Sequence, residues 1–124
     1  MEYPFVKRVM AVLKPPPDMT VSEWADEYRY LSAESSASPG RWRTSTVEYL
    51  REPMDMVGDP AVRRITLMTS AQVGKSSFIE NVNGFFMGHD PCPILHVSPT
   101  SASSEMSSKE RLAPMLRDCP SLRK

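Results

Sequence analysis

The stretch from Val62 to Val97 constrains this chain more than any other. VRRITLM (62–68) is a near-continuous run of branched and apolar residues, the pattern of a strand buried on both faces. TSAQVGKS (69–76) follows as a loop. Behind it, Phe78, Ile79, Val82, Phe85 and Phe86 fall on one side of a helix that ends around Gly88. ILHV (94–97) reads as a second short buried strand, broken by Pro99-Thr100. Strand, loop, helix and strand in that order make a βαβ unit, the building block of parallel sheets. The expected fold class is therefore α/β, with an incomplete parallel sheet of which only the first βαβ unit is present, preceded by an N-terminal helical segment.

The loop decides what such a unit does. A phosphate-binding loop needs backbone N–H groups converging on the anion, a lysine ammonium reaching the β/γ-phosphates and a hydroxyl for magnesium, all at a helix N-terminus. Gly74, Lys75 and Ser76 supply the last three positions at the right place. Ser77 offers a second hydroxyl for the metal, but the spacing favours Ser76. Thr69 fills a position where glycine is usual, and a β-branched residue disfavours positive φ, so the loop is a variant one. A bare Gly-Lys-Ser is common, and a strand-to-helix turn with a solvated Lys75 is the plain alternative. The strand before and the helix after favour nucleotide binding, and with it a sheet of the P-loop NTPase kind.

Composition sets outer limits. A chain of 124 residues with 40% apolar content suits one small domain. Fifteen basic and fifteen acidic residues cancel, so any contact with nucleic acid has to come from a local patch. Cys92 and Cys119 read as free thiols of a reducing compartment. His89, Cys92 and His96 lie near one another in sequence, but Pro91 and Pro93 stiffen the interval and a fourth zinc ligand is not apparent. No apolar run approaches the ~20 residues that cross a bilayer, and the N-terminus lacks the features of a signal peptide. A cytoplasmic protein without a membrane partner is expected.

The lead-in divides at residues 19 and 60. Residues 1–19 are expected as an extended linker, stiffened by Pro15-Pro16-Pro17. Residues 20–60 are expected to be a helical lead-in and 61–124 to begin the P-loop core. Thr20 and Glu23 form a capping box ahead of Val21, Trp24, Ala25, Tyr28 and Leu31 at helical spacing; Trp24 and Tyr28 either dock this helix on a neighbour, the commoner case, or stack on a ligand. SAESSASPG (32–40) is a loop. Arg41-Trp42-Arg43 either grips a base or phosphate or is surface arginine around a half-buried tryptophan. Val47, Leu50, Met54 and Val57 mark a second helical stripe that stops at Gly58-Asp59-Pro60.

Several segments, in order, resemble one family. VSEWADEYRYLS (21–32), PGRWRTSTVEYLREPMD (39–55), MTSAQVGKSS (68–77), ILHVSPT and SKERLAPMLRDCPSL are similar to the N-terminal part of the ATPase domain in the terminase large subunit of tailed bacteriophages, lambda-like branch. In that family an ATPase threads double-stranded viral DNA into a capsid shell and a metal-dependent nuclease cuts it. The resemblance implies ATP and magnesium as cofactors and a loop backbone of Ser70, Ala71, Gln72, Val73, Gly74 and Lys75. Lys75 would lie on the β/γ-phosphates as the catalytic residue and Ser76 on the metal. Tyr49 would pack on the adenine face, while Leu50 stands where related motors carry a glutamine. The implied partners are viral DNA, a terminase small subunit and a capsid portal, for a homo-oligomer in the host cytoplasm. Relatives carry a basic residue at the loop's first position or just ahead of its glutamine, where this chain has Thr69 and Ala71. A hydrophobic run closed by a second acidic site, which ATP hydrolysis needs, is not found after Ser76, so a truncated chain inactive by itself is expected. A non-enzymatic DNA- or protein-binding module and a fragment of an unrelated P-loop enzyme stay open as alternatives.

Overall fold

Thr20 opens the packed part of the molecule, and its cap forms as its spacing requires. In a computed structural model that describes residues 4–123, the Thr20 hydroxyl accepts from Glu23 N at 3.3 Å while Glu23 Oε2 accepts from Thr20 N at 2.9 Å. Two otherwise unpaired donors are thereby satisfied at the head of a helix of two turns. Ahead of it, Pro4–Leu13 forms helix α1 within the segment expected to be extended. Proline has no N–H to lose at a first helical position, and Phe5, Val9 and Leu13 recur at helical spacing. The prolines from Pro15 onward end it, because the residue before a proline disfavours helical backbone. All of α1 is exposed.

Helix α2 (Val21–Tyr28) buries Val21, Trp24 and Ala25. Its last carbonyls, on Asp26 and Glu27, accept from Arg41 Nη2 at 3.2 and 3.0 Å. Arg41 belongs to a two-strand antiparallel ladder of β1 (Tyr30–Leu31) and β2 (Gly40–Arg41), with Tyr30 opposite Arg41 and Leu31 opposite Gly40. A 3-10 segment, Thr44–Leu50, leads into α3 (Arg51–Met56). Asp55 Oδ1 accepts from Ser22 N at 3.0 Å and ties α3 to the start of α2.

Helix α4 (Lys75–Gly88) crosses α2 where Gly84 and Gly88 let the Trp24 ring approach the backbone. Trp24, Trp42, Leu50, Met54, Phe78 and Phe85 form the centre of the core. The chain then runs through α5 (Ser101–Met106), a π-helical stretch (Ser107–Leu112) and α6 (Ala113–Asp118), ending in a short 3-10 turn, Pro120–Leu122. The Thr100 hydroxyl caps α5 by accepting from Ser103 N at 3.1 Å. Among the described residues no helix is long and apolar enough to cross a membrane.

The expected parallel sheet is not formed. Residues 62–70 and 91–98 lie outside any ladder, and β1 with β2 makes the only sheet among the described residues. The architecture is a mixed one, helices with a small two-strand ladder, compatible with part of an α/β ATPase domain. The physical reason lies in burial: a doubly buried strand is held by cover on both faces and by cross-strand neighbours. Here Leu95 is 88% and Val97 79% exposed, and Ile65 and Leu67 are only partly covered. The loop expected at 32–40 does form as turns, but its flanks pair across it.

Candidate functional site

The loop between residue 68 and α4 takes its shape from two left-handed residues. Gln72 has φ 62° and Gly74 has φ 88°. The expected difficulty at Thr69 does not arise, because the chain reverses three and five residues later. Gly74 adopts this region without steric cost, whereas at Gln72 it is strained, on the order of 1–2 kcal/mol. Gln72 is the one non-glycine residue with positive φ among those described.

Gly74 is also the residue that opens α4. Its carbonyl accepts the first helical bond from Phe78 N at 2.9 Å, and no side chain caps the helix. The N–H groups of Lys75, Ser76 and Ser77 are therefore first-turn donors with no intrahelical acceptor. No acidic side chain stands in that turn either. This contrasts with α2 and α5, where a threonine cap accepts from one of the equivalent groups in each helix. The positive end of a fourteen-residue helix thus faces outward at the end of the loop.

Lys75 folds back over its own loop: Nζ donates to Ser70 O at 2.5 Å and to Thr69 O at 3.5 Å. The ammonium closes the ring of residues 69–75. The Tyr49 hydroxyl donates to Val73 O at 2.8 Å, and Leu50 lies against Gly74, so the segment before α3 contacts the loop from outside. Ser70, Ala71 and Gln72 are exposed, while Val73, Gly74 and Ser77 are partly covered. Of the residues that the loop pattern and the resemblance assign to the nucleotide, all except Ser76 and Ser77 belong to this ring or touch it.

Ser76 faces a second feature. With Ile79, Asn83 and Met87 it lines one wall of a cavity of about 420 Å³, closed on the other side by Leu112 and its neighbours. Glu80 and Arg111 meet in the same cavity at 3.1 Å. Glu80 also accepts from buried Arg29 at 2.5 Å, and Arg29 Nε donates to Asn81 Oδ1 at 3.2 Å. Arg29 Nη1 further donates to Tyr30 O at 2.8 Å. These bonds fix α4 against the end of α2, and the sequence pattern did not point to them. The one available signal was a lone carboxylate two residues after Phe78, in a helix otherwise made of apolar, small and neutral polar residues after Lys75.

Other candidates turn out to serve the fold. Trp42 is buried, with Nε1 donating to Thr44 Oγ1 at 2.9 Å, and Arg41 is committed to the end of α2. Trp24 docks α2 on α4, and Tyr28 packs beside it while staying partly exposed. Cys92 and buried Cys119 are free thiols. Among the described residues no three His, Cys, Asp or Glu side chains come together in a metal-holding group.

Comparison with known proteins adds three findings. Residues 36–124 match the family described as phage terminase large subunit gpA, ATPase domain. The terminase large subunit of Escherichia phage lambda is 34% identical over 118 residues, 95% of this chain and 18% of that protein. The terminase large subunit of Enterobacteria phage P21 is 32% identical over 107 residues, 86% of this chain and 16% of the relative. No solved structure matches. The chain thus spans under a fifth of the length of the curated relatives it matches.

Proposed function

Since the chain belongs to the family of phage terminase large subunit gpA ATPase domains, we propose that it contributes the phosphate-binding part of an ATP-driven DNA-packaging motor. The observation that supports this most is the uncapped start of α4 behind a loop with two left-handed residues and a lysine. Loop 70–75 and the first-turn N–H groups cradle the phosphates. Lys75 exchanges the carbonyls of Thr69 and Ser70 for the β/γ-phosphate oxygens, which attract an ammonium more strongly than neutral carbonyls do. Ser76 holds magnesium, a hard cation that takes oxygen ligands and keeps waters and phosphate oxygens for the rest of its shell. When bound, magnesium neutralises charge on the triphosphate.

Glu80 does not position an attacking water in this scheme, because Arg29 and Arg111 hold both of its oxygens. In this reading the described residues of the site hold the phosphates and magnesium. Residues 62–68 and 94–97 are strands of a parallel sheet when the neighbours that cover their apolar residues are in place. Double-stranded viral DNA, a small subunit and a portal are the partners of the complete motor, a homo-oligomer working in the host cytoplasm.

Titration calorimetry with magnesium-ATP tests the site. Binding should be measurable, and Lys75→Ala should abolish it, because one change removes both the ammonium and the closure of the loop. Binding that survives Lys75→Ala would move the nucleotide elsewhere and overturn this reading.

A further inference from the structure

Tyr49 stands near the end of the 3-10 segment as a residue more than half exposed (58%), and its hydroxyl donates to Val73 O at 2.8 Å. The peptide joining Val73 to Gly74 is trans, so its C=O and N–H point in opposite directions. A donor that holds the carbonyl on one side fixes the N–H of Gly74 on the other. Leu50 touches the same unit, since a Cβ on Gly74 would come within 3.1 Å of Leu50 Cδ1.

This peptide needs a holder. Turning it over changes ψ of Val73 and φ of Gly74, and glycine accepts either sign of φ at little cost. The strained backbone at Gln72 lies immediately before it. Tyr49 is exposed, so water would satisfy its hydroxyl and the Val73 carbonyl equally well. What the bond adds is the orientation of the peptide plane, at the point where the loop becomes α4.

We propose that Tyr49 is a positioning residue of the phosphate loop: its hydroxyl holds the Val73–Gly74 peptide with the N–H turned toward the anion. The residue expected to serve the base thereby sets affinity for the triphosphate chain as well. This rests on the phosphate-site reading of the loop.

The test is calorimetric titration of the whole chain with magnesium-ATP and with magnesium tripolyphosphate, which has no base. Tyr49→Phe keeps the ring and removes the hydroxyl. It should weaken both ligands alike, by about five-fold, the worth of one ordinary hydrogen bond. Unchanged binding of both ligands by Tyr49→Phe, with Tyr49→Ala losing ATP alone, would confine Tyr49 to the base and overturn the proposal. Tyr49→Phe should also melt at the parent's temperature, and a fall in that temperature large enough to account for the lost affinity would make the residue merely structural. Failure of the phosphate-site reading looks different: the parent would bind no tripolyphosphate, or would bind it regardless of Lys75→Ala, and this inference would fall with it.

Discussion

A methyl group at Gly84 would stand 2.4 Å from Trp24 Cη2 and 2.8 Å from Cζ3. Alanine is the better helix former by about 1 kcal/mol, so propensity alone favours Gly84→Ala. Overlap with two atoms of a rigid, fully buried ring opposes it, and overpacking of this kind costs about 1–3 kcal/mol. The indole is hemmed in by α4 and cannot swing away, so overlap wins. Gly84→Ala should lower stability by about 1–2 kcal/mol in urea unfolding, and a variant as stable as the parent would show that α2 and α4 are not locked by this contact. At this scale much was legible: Trp24 as a docking residue, the Thr20 cap and the Gly74-Lys75-Ser76 run all follow from residue type and spacing. Arg29 with Glu80 was not, because the pair is separated by most of the lead-in and the loop. Nothing in either local pattern marks a buried charge as matched.

The C-terminal helix is tied to the turn after β1 through charge. Arg117 donates to Glu34 Oε1 at 3.1 Å and to Asp118 Oδ1 at 2.7 Å. The hydrogen bond from Arg117, with a smaller one from Ser32, holds the Asp118 carboxyl down to about 2 from its ordinary 3.8. A depressed carboxyl stabilises the fold above its unfolded value, and the contribution is lost as pH falls from about 4 toward 2. Arg117 is exposed and Asp118 only partly covered, so the effect on stability is small and salt weakens it. In an NMR titration the Asp118 carboxyl should show a midpoint near 2, returning toward the ordinary range in Arg117→Ala. A midpoint near 4 in the parent would mean that this tie is absent in solution. Helices α2 and α4 were legible as elements because a 3.6-residue period and a cap are local signals. The strands were not, since a ladder depends on partners far away in sequence, and a short apolar run carries no record of whether they are present.

For the molecule as a whole, the loop and α4 sit on a well-packed lead-in, while the chain on either side of them leaves Met68, Leu95 and Val97 exposed. Exposed apolar residues in two separate stretches are where further structure of an ATPase domain has room to cover them. The proposed phosphate site depends less on that cover: its donors come from a fourteen-residue helix anchored through Trp24, Phe78, Phe85 and the Arg29–Glu80 pair. Such anchoring is why a short loop can hold strained backbone at Gln72. Backbone amide shifts on addition of magnesium tripolyphosphate test this site most directly. The N–H signals of Gly74, Lys75 and Ser76 should move furthest, those of Arg41 and Trp42 should stay, and Lys75→Ala should erase the changes. Largest shifts outside residues 70–77, or shifts indifferent to Lys75→Ala, would contradict a phosphate-binding turn at the head of α4.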